Sequence, residues 1–241
     1  MTAEQLAGQR VVVIGGSAGI GLATARRARA EGAEVIITGR NADRLAQVGS
    51  EIGAATVAFD AVDFDRLDRF FQELPSPIDH VLVSGSGPYY GPLAGFDFKA
   101  AREDVDAHLW LQVHVAQHAA TKVRPGGSLL FLSGTGGRRP GVGFTLISAL
   151  TAALPALTKN LALEIAPVRV NVIAPGFVDT PLSATLLGDR IDERRAELRD
   201  TLPIGRVVGP DDVAALALHL MTNSAVTGAT FDIDGGQQLL T

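Results

Sequence analysis

The sequence predicts an α/β protein built on one doubly wound parallel sheet. Short β-rich runs alternate with amphipathic stretches along the 241 residues, most of these runs are apolar throughout, and nearly all end in glycine or a polar residue. Strands that are apolar throughout are buried on both faces, as in a parallel sheet with helices on each side. We therefore expect seven strands in one sheet, covered by helices on both faces.

Seven runs predict the strands, in chain order VVVIG, EVIITG, TVAF, HVLVSG, SLLFLSG, VRVNVIAPG and ATFDIDGG. Amphipathic stretches between them predict helices over 20–30, 42–51, 64–73, 100–122, 148–165 and 210–221. The segment 180–206 fits neither pattern, and we expect an irregular, lid-like region there. Because no repeat or linker interrupts the series, residues 1–241 are expected to form a single domain.

The composition favours a small molecule as the partner. Hydrophobic residues make up 46% of the chain and charged residues 20%, and the net charge is −5. No basic cluster offers a footprint for nucleic acid or an anionic membrane. The absence of cysteine excludes disulfides and cysteine nucleophiles. The first ten residues lack a signal-peptide core, and no apolar run approaches the roughly 20 residues that span a bilayer, so we expect a cytoplasmic protein with no membrane partner.

A glycine-rich loop follows the first predicted strand. In IGGSAGIG, Gly15, Gly19 and Gly21 allow the backbone to turn tightly and to approach a pyrophosphate at the start of the next helix. Such glycines alone also occur in ordinary strand-to-helix turns. The strand before them and the helix after them favour a dinucleotide site of the Rossmann type, which we expect to include Ser17 and Ile20 of the same loop.

The end of the second strand predicts the choice of cofactor. An NAD site usually has a carboxylate there for the ribose 2′-hydroxyl, whereas this chain has Gly39 and Arg40. A guanidinium favours the 2′-phosphate of NADP(H); the alternative is that Arg40 is a solvated surface residue. Asp60, after the third strand, is expected to cap the adenine pocket, and the alternative for it is a place in a helix N-cap region.

Over nearly its whole length the chain resembles the short-chain dehydrogenase/reductase family. The resemblance rests on the glycine motif GGSAGIG, the aspartate after the third strand, the segment NVIAPGFVDTPL and the last strand FDIDGG. It implies further cofactor contacts around the nicotinamide and its carboxamide, made by Ser84 and Gly85 of the SGSG loop and by Pro175, Gly176, Val178 and Thr180.

The same resemblance reveals a gap in the catalytic machinery. The family uses a tetrad of Asn, Ser, Tyr and Lys, and the corresponding positions here carry His108, Gly134, Ile147 and Thr151. A ketone needs a proton on its oxygen as hydride arrives, and isoleucine cannot supply one. We therefore expect ordinary carbonyl reduction to be disfavoured, while a bound nicotinamide still carries the hydride chemistry.

Four residues are candidates for catalytic work. His108 comes first because an imidazole titrates near neutral pH, although a structural hydrogen bond within the helix packing suits it equally. Tyr89 and Tyr90 follow the fourth strand at the edge where such folds bind substrates, and they are candidates either as proton donors or as apolar wall. Thr151 is expected to bond the nicotinamide ribose.

Other polar residues are weaker candidates. Residues that flank the vacant serine position are candidate substrate contacts, namely Ser133, Thr135, Arg138 and Arg139. His114 and His118 are one helical turn apart, but the sequence shows no third metal ligand. We therefore expect no metal site, and we interpret these two histidines as an oligomer-facing or solvated pair.

Two classes of function follow. The first is an NADPH-dependent reductase whose acceptor does not need the tyrosine, such as an imine, an iminium ion or an activated alkene. The second is a catalytically silent NADP-binding sensor, scaffold or non-redox enzyme. A homodimer or homotetramer is expected, because the two long predicted helices carry apolar residues on more than one face, including Leu111, Val115, Leu154 and Leu157.

Overall fold

A computed structural model describes residues 5–85, 87–138 and 141–240. The predicted sheet is present, with seven parallel strands in the order β3-β2-β1-β4-β5-β6-β7. The strands are β1 Arg10–Ile14, β2 Glu34–Gly39, β3 Ala55–Ala58, β4 Ile78–Val83, β5 Val123–Leu132, β6 Arg169–Pro175 and β7 Thr230–Ile233. The helices are α1 Gly19–Ala30, α2 Ala42–Ile52, α3 Phe64–Glu73, α4 Phe98–Val105, α5 Leu111–Lys122, α6 Thr145–Glu164, α7 Pro181–Leu187, α8 Ile191–Thr201 and α9 Pro210–Thr222.

Helices cover both faces of the sheet, as predicted. On one face α3, α5 and α6 contribute Phe70, Val115 and Leu161 to a buried apolar layer. On the other face α1, α2 and α9 contribute a second layer that includes Leu45 and Val213. The strand order reverses between β1 and β4, and in such sheets ligands bind in the crevice at the carboxyl ends of the strands beside this reversal. The fold therefore places the candidate site at the loops that follow β1 and β4.

The long helix predicted over 100–122 is present but changes its winding. It consists of α4, a π-helical turn over Asp106–Trp110, and α5. It begins at Phe98 because the Asp97 side chain caps it, accepting hydrogen bonds from the backbone N–H groups of Lys99 and Ala100 at 2.9 and 3.1 Å. Such π turns are found frequently at functional sites, and this one contains His108.

The expectation of an irregular region over 180–206 is wrong, because α7 and α8 lie within it. Thr180 caps α7, and Pro181 occupies its first turn. Helix α8 is rich in charge, and Leu198 is its one buried residue among those the structure describes. A helix with so little apolar surface shows no periodic stripe in the sequence, which explains why the pattern missed it.

Helix α6 corrects the expectation that no apolar run approaches 20 residues. It has 20 residues and is apolar enough, by length and composition alone, to cross a bilayer. In this fold α6 packs against β6 and buries Leu150, Leu154 and Leu161. A core helix of this kind passes the same test as a membrane span, so the feature alone assigns no membrane.

The residues chosen as a second apolar face do not form one. Leu111, Val115 and Leu154 are buried in the core of their own chain, and the half-buried Leu157 packs against that core. The exposed apolar side chains of this region are instead Trp110 and Leu163. The oligomer therefore stays a prediction, and the residues named from the sequence do not support it.

Candidate functional site

The loop between β1 and α1 has the shape of a phosphate cradle. Gly15 has a φ of +85°, and a Cβ on it would collide with the Ser84 carbonyl oxygen. A Cβ on Gly21 would collide with the carbonyl oxygen of Gly15. Helix α1 begins after Ala18 without a side-chain cap, which leaves its first N–H groups available to an anion. The half-buried Ser17 and Ile20 line this loop, which thus fits a dinucleotide pyrophosphate.

The residues after β2 fit a cofactor with a 2′-phosphate. A Cβ on Gly39 would lie 3.0 Å from the Ser17 Oγ, so the end of β2 lies directly beside the glycine loop. Arg40 is exposed and forms no ion pair or hydrogen bond within the described ranges 5–85, 87–138 and 141–240. A cation without a partner at this edge is available to a phosphate.

Asp60 lies in the turn between β3 and α3. Its Oδ1 atom accepts a hydrogen bond from the backbone N–H of Val62 at 3.3 Å, and Asp63 caps the helix that follows. The turn thus leaves the exposed carboxylate beside the carboxyl edge of the sheet. The adenine contact stays a prediction.

The segment after β6 completes the cleft. A Cβ on Gly19 would lie 3.5 Å from the Thr180 methyl carbon, so Thr180 borders the phosphate loop. Val178 is buried and bridges to Val208, which fixes the backbone beyond Pro175 and Gly176. These positions agree with the cofactor contacts that the resemblance implies, and the contacts themselves stay predictions.

The resemblance assigns the family's serine, tyrosine and lysine positions to Gly134, Ile147 and Thr151, and this assignment stays a prediction. A Cβ on Gly134 would lie 3.7 Å from its nearest neighbour, the Pro175 carbonyl oxygen, so the space for a side chain is open. Ile147 is buried. Thr151 donates its hydroxyl proton within its own helix, to the Ile147 carbonyl at 2.8 Å, so the predicted bond to the nicotinamide ribose gains no support. The hydroxyl of Ser133 is buried and has no hydrogen-bond partner among the described residues.

His108 is positioned by the π turn. Its Nδ1 atom lies 2.8 Å from Oδ1 of Asp104 and 3.2 Å from the Asp104 carbonyl oxygen. A Cβ on Gly85 would lie 3.7 Å from Nε2 of His108, so the other side of the ring faces the loop after β4. The sequence analysis missed Asp104, although its position four residues before a histidine on a predicted helix is a usable signal.

The two tyrosines separate into different roles. The Tyr89 hydroxyl accepts a hydrogen bond from the backbone N–H of Asp97 at 2.8 Å, and the ring packs over Gly91 and against Phe96. This arrangement holds the loop together and makes Tyr89 the weaker proton-donor candidate. The Tyr90 ring lies 5.2 Å from that of Phe144. Burial, and then the charge of Asp104, raise the pKa of Tyr90, so its phenol stays protonated at neutral pH.

Several weaker candidates have other partners. Arg138 forms an ion pair with Asp232 and donates to Gln238 at 2.7 Å, so its prediction as a substrate contact gains no support. Thr135 is buried. Ser86 and Arg139, which belong to the segments named from the sequence, lie outside the described residues.

The interpretation of His114 and His118 as an oligomer-facing or solvated pair stays a prediction, because both are partly exposed, but each ring also packs within the chain. His114 stacks on Phe64 with ring centres 4.0 Å apart. His118 stacks on Phe71 at 4.7 Å, and its Nε2 lies 2.7 Å from Asp68. These contacts join α5 to α3 and were invisible in the sequence because they depend on tertiary packing.

Helix α7 closes over the loop after β4. A Cβ on Gly87 would lie 2.8 Å from the Cδ1 of Leu182, so the two segments touch above the cleft. Arg195 of α8 donates to both carboxylate oxygens of Asp179, at 3.0 and 2.8 Å, and this pair fastens α8 to the end of β6. The exposed Leu182 thus places an apolar side chain at the mouth of the cleft.

A separate titratable cluster, which the sequence analysis did not identify, lies at the opposite edge of the sheet. His80 of β4 is buried, with Nδ1 2.8 Å from the Ser128 hydroxyl and Nε2 2.8 Å from the Gln9 side-chain oxygen. Burial lowers the pKa of His80 to about 4, an effect that nearby arginines increase and Asp79 opposes. This histidine is therefore neutral at physiological pH.

Known proteins resemble this chain along nearly its whole length. A family model described as Enoyl-(Acyl carrier protein) reductase matches residues 15–238. The protein named Short-chain dehydrogenase/reductase ATR9, from Stachybotrys chlorohalonatus, is 31% identical over 95% of this chain and 96% of its own. The structure of MalC Reductase/Diels-Alderase from Malbranchea aurantiaca aligns with a TM-score of 0.91 at 25% identity over 100% of both chains. The structure of BdcA in complex with NADPH aligns with a TM-score of 0.86 at 28% identity over 96% of this chain and 95% of that one. The match extends from the glycine loop to the end of β7 and so includes the entire cleft.

Proposed function

Because the chain belongs to the short-chain dehydrogenase/reductase family, we propose that it is an NADPH-dependent reductase whose acceptor needs no tyrosine acid. The family uses a nicotinamide cofactor and acts on small molecules. When bound, the reduced nicotinamide supplies hydride to the acceptor. The residues of this chain then have to bind the cofactor, orient the acceptor and exclude water.

The preference for NADP(H) rests on the edge beside β2. Arg40 is exposed and without a partner among the described residues, and Gly39 leaves no carboxylate there for a ribose 2′-hydroxyl. A charge-assisted contact between a guanidinium and a phosphate is stronger than a neutral hydrogen bond. The solved structure of BdcA contains NADPH, which supports the same choice in a similar fold.

The proposed type of acceptor rests on the prediction that Ile147 occupies the position of the family's tyrosine acid. The structure supports it by showing no proton available from Gly134, Ile147 or Thr151. Ile147 is buried, Gly134 has no side chain, and the hydroxyl of Thr151 is bonded within its helix. A positioned general acid contributes about 10²- to 10⁴-fold to a rate. A ketone loses that contribution here. An iminium ion already carries the charge that the acid would create, and an activated alkene takes its proton on carbon in a later step.

Two of the similar proteins support chemistry other than simple carbonyl reduction. The matching family model is described as an enoyl reductase, whose name denotes an alkene acceptor. MalC is described as both a reductase and a Diels-Alderase, so a chain of the same fold performs a reaction without net hydride transfer. The second description also favours our alternative, a protein that binds NADP(H) and catalyses no reduction.

An acceptor panel separates these functions. Purified protein would be mixed with NADPH and with three classes of acceptor, namely simple ketones, cyclic iminium ions and activated alkenes, while NADPH absorbance is followed. We expect oxidation with the last two classes and none with ketones. NADPH binding without oxidation by any class would identify the silent alternative, and ketone reduction at rates comparable to the iminium ions would refute the proposal.

We propose further that the protein works as a cytoplasmic homodimer or homotetramer. Trp110 and Leu163 are large apolar side chains left exposed on the face that carries α5 and α6. A contiguous apolar patch is typical of contacts between subunits, and these two side chains are its candidate members. Sedimentation at micromolar concentration tests the assembly, and a monomer would contradict it.

A further inference from the structure

A buried carboxylate lies behind His108 in the π turn. Asp104 is only 5% exposed, and neither of its carboxylate oxygens accepts a hydrogen bond of good geometry from any described residue. By distance, Oδ1 still pairs with the Nδ1 atom of His108 at 2.8 Å. A buried carboxylate without donors is costly unless a positive charge lies beside it. The protonated imidazole of His108 is in the position to provide that charge.

The surroundings of Nδ1 determine which nitrogen of His108 exchanges its proton. Nδ1 faces the carboxylate oxygen of Asp104 at 2.8 Å and the Asp104 backbone carbonyl oxygen at 3.2 Å. An ionised carboxylate and a carbonyl can only accept hydrogen bonds. Nδ1 therefore carries a hydrogen in both the neutral and the charged ring. The proton that the imidazole ring gains and loses is therefore the one on Nε2.

Nε2 faces the cleft. It lies 3.7 Å from the point where a Cβ of Gly85 would stand, and the carbonyl of the preceding residue, Ser84, touches the phosphate loop at Gly15. The Nε2 proton of His108 is thus presented beside the end of the cleft that, by family resemblance, holds the nicotinamide. No other candidate acid named from the sequence combines this position with a carboxylate partner.

Among the residues that the structure describes, Tyr90 and helix α6 bring no second charge to the ring of His108. Tyr90, on the loop after β4, feels the charge of Asp104, and burial together with that charge raises its pKa, so the phenol remains uncharged. Helix α6 packs against the π turn and carries no titratable side chain before Lys159, which is exposed. Asp104 is therefore the carboxylate within ion-pair distance of the ring.

We infer that Asp104 is a positioning residue that holds His108 as the proton donor of this site, and that the pair serves an acceptor that must be protonated on carbon after hydride arrives. The inference rests on the proposed function and deepens it toward activated alkenes. In the step, the Nε2–H bond of the imidazolium breaks and its proton bonds to the carbon that holds the electron pair. The neutral ring then takes a proton from solvent, and Asp104 stays ionised throughout.

Two acceptors and one spectroscopic measurement test the pair. In Asp104→Asn we expect reduction of an activated alkene to fall at least about tenfold, far more than reduction of a cyclic iminium ion, because only the alkene needs the proton. His108→Gln is expected to lose still more, and Asp104→Glu to recover part of the rate. In parallel, ¹⁵N NMR of labelled histidine, assigned with His108→Gln, reports the ring directly and needs no turnover. The titration midpoint of His108 is expected to move to lower pH in Asp104→Asn, since an adjacent anion favours the charged ring.

A second Asp–His pair in the same chain supplies the matched control. Asp68 lies 2.7 Å from Nε2 of His118 on the joint between α3 and α5. Asp68→Asn removes the same kind of charge and is expected to leave both reductions and the His108 titration unchanged.

Each alternative result has a distinct meaning. Wild-type protein that reduces iminium ions but no alkene refutes the proton-donor role and leaves the proposed function standing. Protein that reduces neither acceptor refutes the proposed function. In that case the NMR result decides whether Asp104 positions the ring: an unchanged His108 titration in Asp104→Asn overturns the inference.

Discussion

We propose that the choice between NADPH and NADH depends on Arg40. It lies directly after β2, is exposed, and has no ion-pair partner among the described residues. Arg40→Ala therefore removes a contact with the cofactor without leaving a buried carboxylate unpaired elsewhere in the chain. The loss is the charge-assisted hydrogen bond to the 2′-phosphate, worth about 1.5–3 kcal/mol.

That free energy corresponds to a rise in the Kd for NADPH of about 10- to 150-fold. The Kd for NADH should stay within about twofold, because NADH has no 2′-phosphate. Isothermal calorimetry with both cofactors measures the two values. Arg26→Ala is the matched control, since Arg26 is an exposed arginine of α1 paired with Glu51 and its loss changes the net charge equally. Equal losses for NADPH and NADH, or no loss in Arg40→Ala, would refute the assignment.

Three further predictions concern stability and the cleft. The pKa of His80 lies at about 4 in the folded protein, below its ordinary value of 6.5, because burial favours the neutral ring. The folded state is therefore destabilised only when the ring has to be protonated, and above about pH 6.5 the free energy of unfolding carries no such loss. As the pH falls from 6.5 to 4, the free energy of unfolding measured with urea should drop by about 3 kcal/mol because of His80. In His80→Gln this part of the pH dependence should be absent, and an unchanged pH dependence in that variant would contradict the prediction. Gly21→Ala places a Cβ against the backbone of the phosphate loop. It should abolish NADPH binding and lower the free energy of unfolding by about 1–3 kcal/mol. Normal NADPH binding in calorimetry would be evidence against the phosphate cradle. Arg195→Ala releases α8 from Asp179 and should speed limited proteolysis within 181–206, while Arg199→Ala, which removes an exposed arginine of the same helix, should not. Equal cleavage rates in the two variants would exclude this fastening.

The sheet and the phosphate loop were predictable because their signals are local. Continuously apolar runs identify strands buried on both faces, and the glycines of the loop are required by backbone contacts that admit no Cβ. Helix α8 was missed because it buries one described residue and so has no apolar stripe. Its position depends on the ion pair between Arg195 and Asp179, which no local pattern reveals.

The site was predictable in part. The assignment of Gly134 and Ile147 to the family's serine and tyrosine positions follows from the resemblance and stays a prediction, while the structure adds that Ile147 is buried. The sequence did not reveal that the Thr151 hydroxyl donates a hydrogen bond within its own helix, or that Asp104 lies buried behind His108. Both facts depend on side-chain orientation. Asp104 is nevertheless four residues before His108 on a predicted helix, a spacing that brings two side chains together.

We propose that this cleft transfers hydride from NADPH and has no acid at the family's tyrosine position to protonate a carbonyl oxygen. The most direct measurement compares kcat/KM for a cyclic iminium ion and for the ketone of the same carbon skeleton, with NADPH deuterated at C4 and the product analysed by mass spectrometry. We expect deuterium in the amine product and a kcat/KM for the iminium ion at least about 10²-fold above that for the ketone, the contribution of one positioned acid. Deuterium in the alcohol product at a comparable kcat/KM would contradict this proposal, because His108 or another group would then have to protonate the carbonyl oxygen in place of Gly134, Ile147 and Thr151.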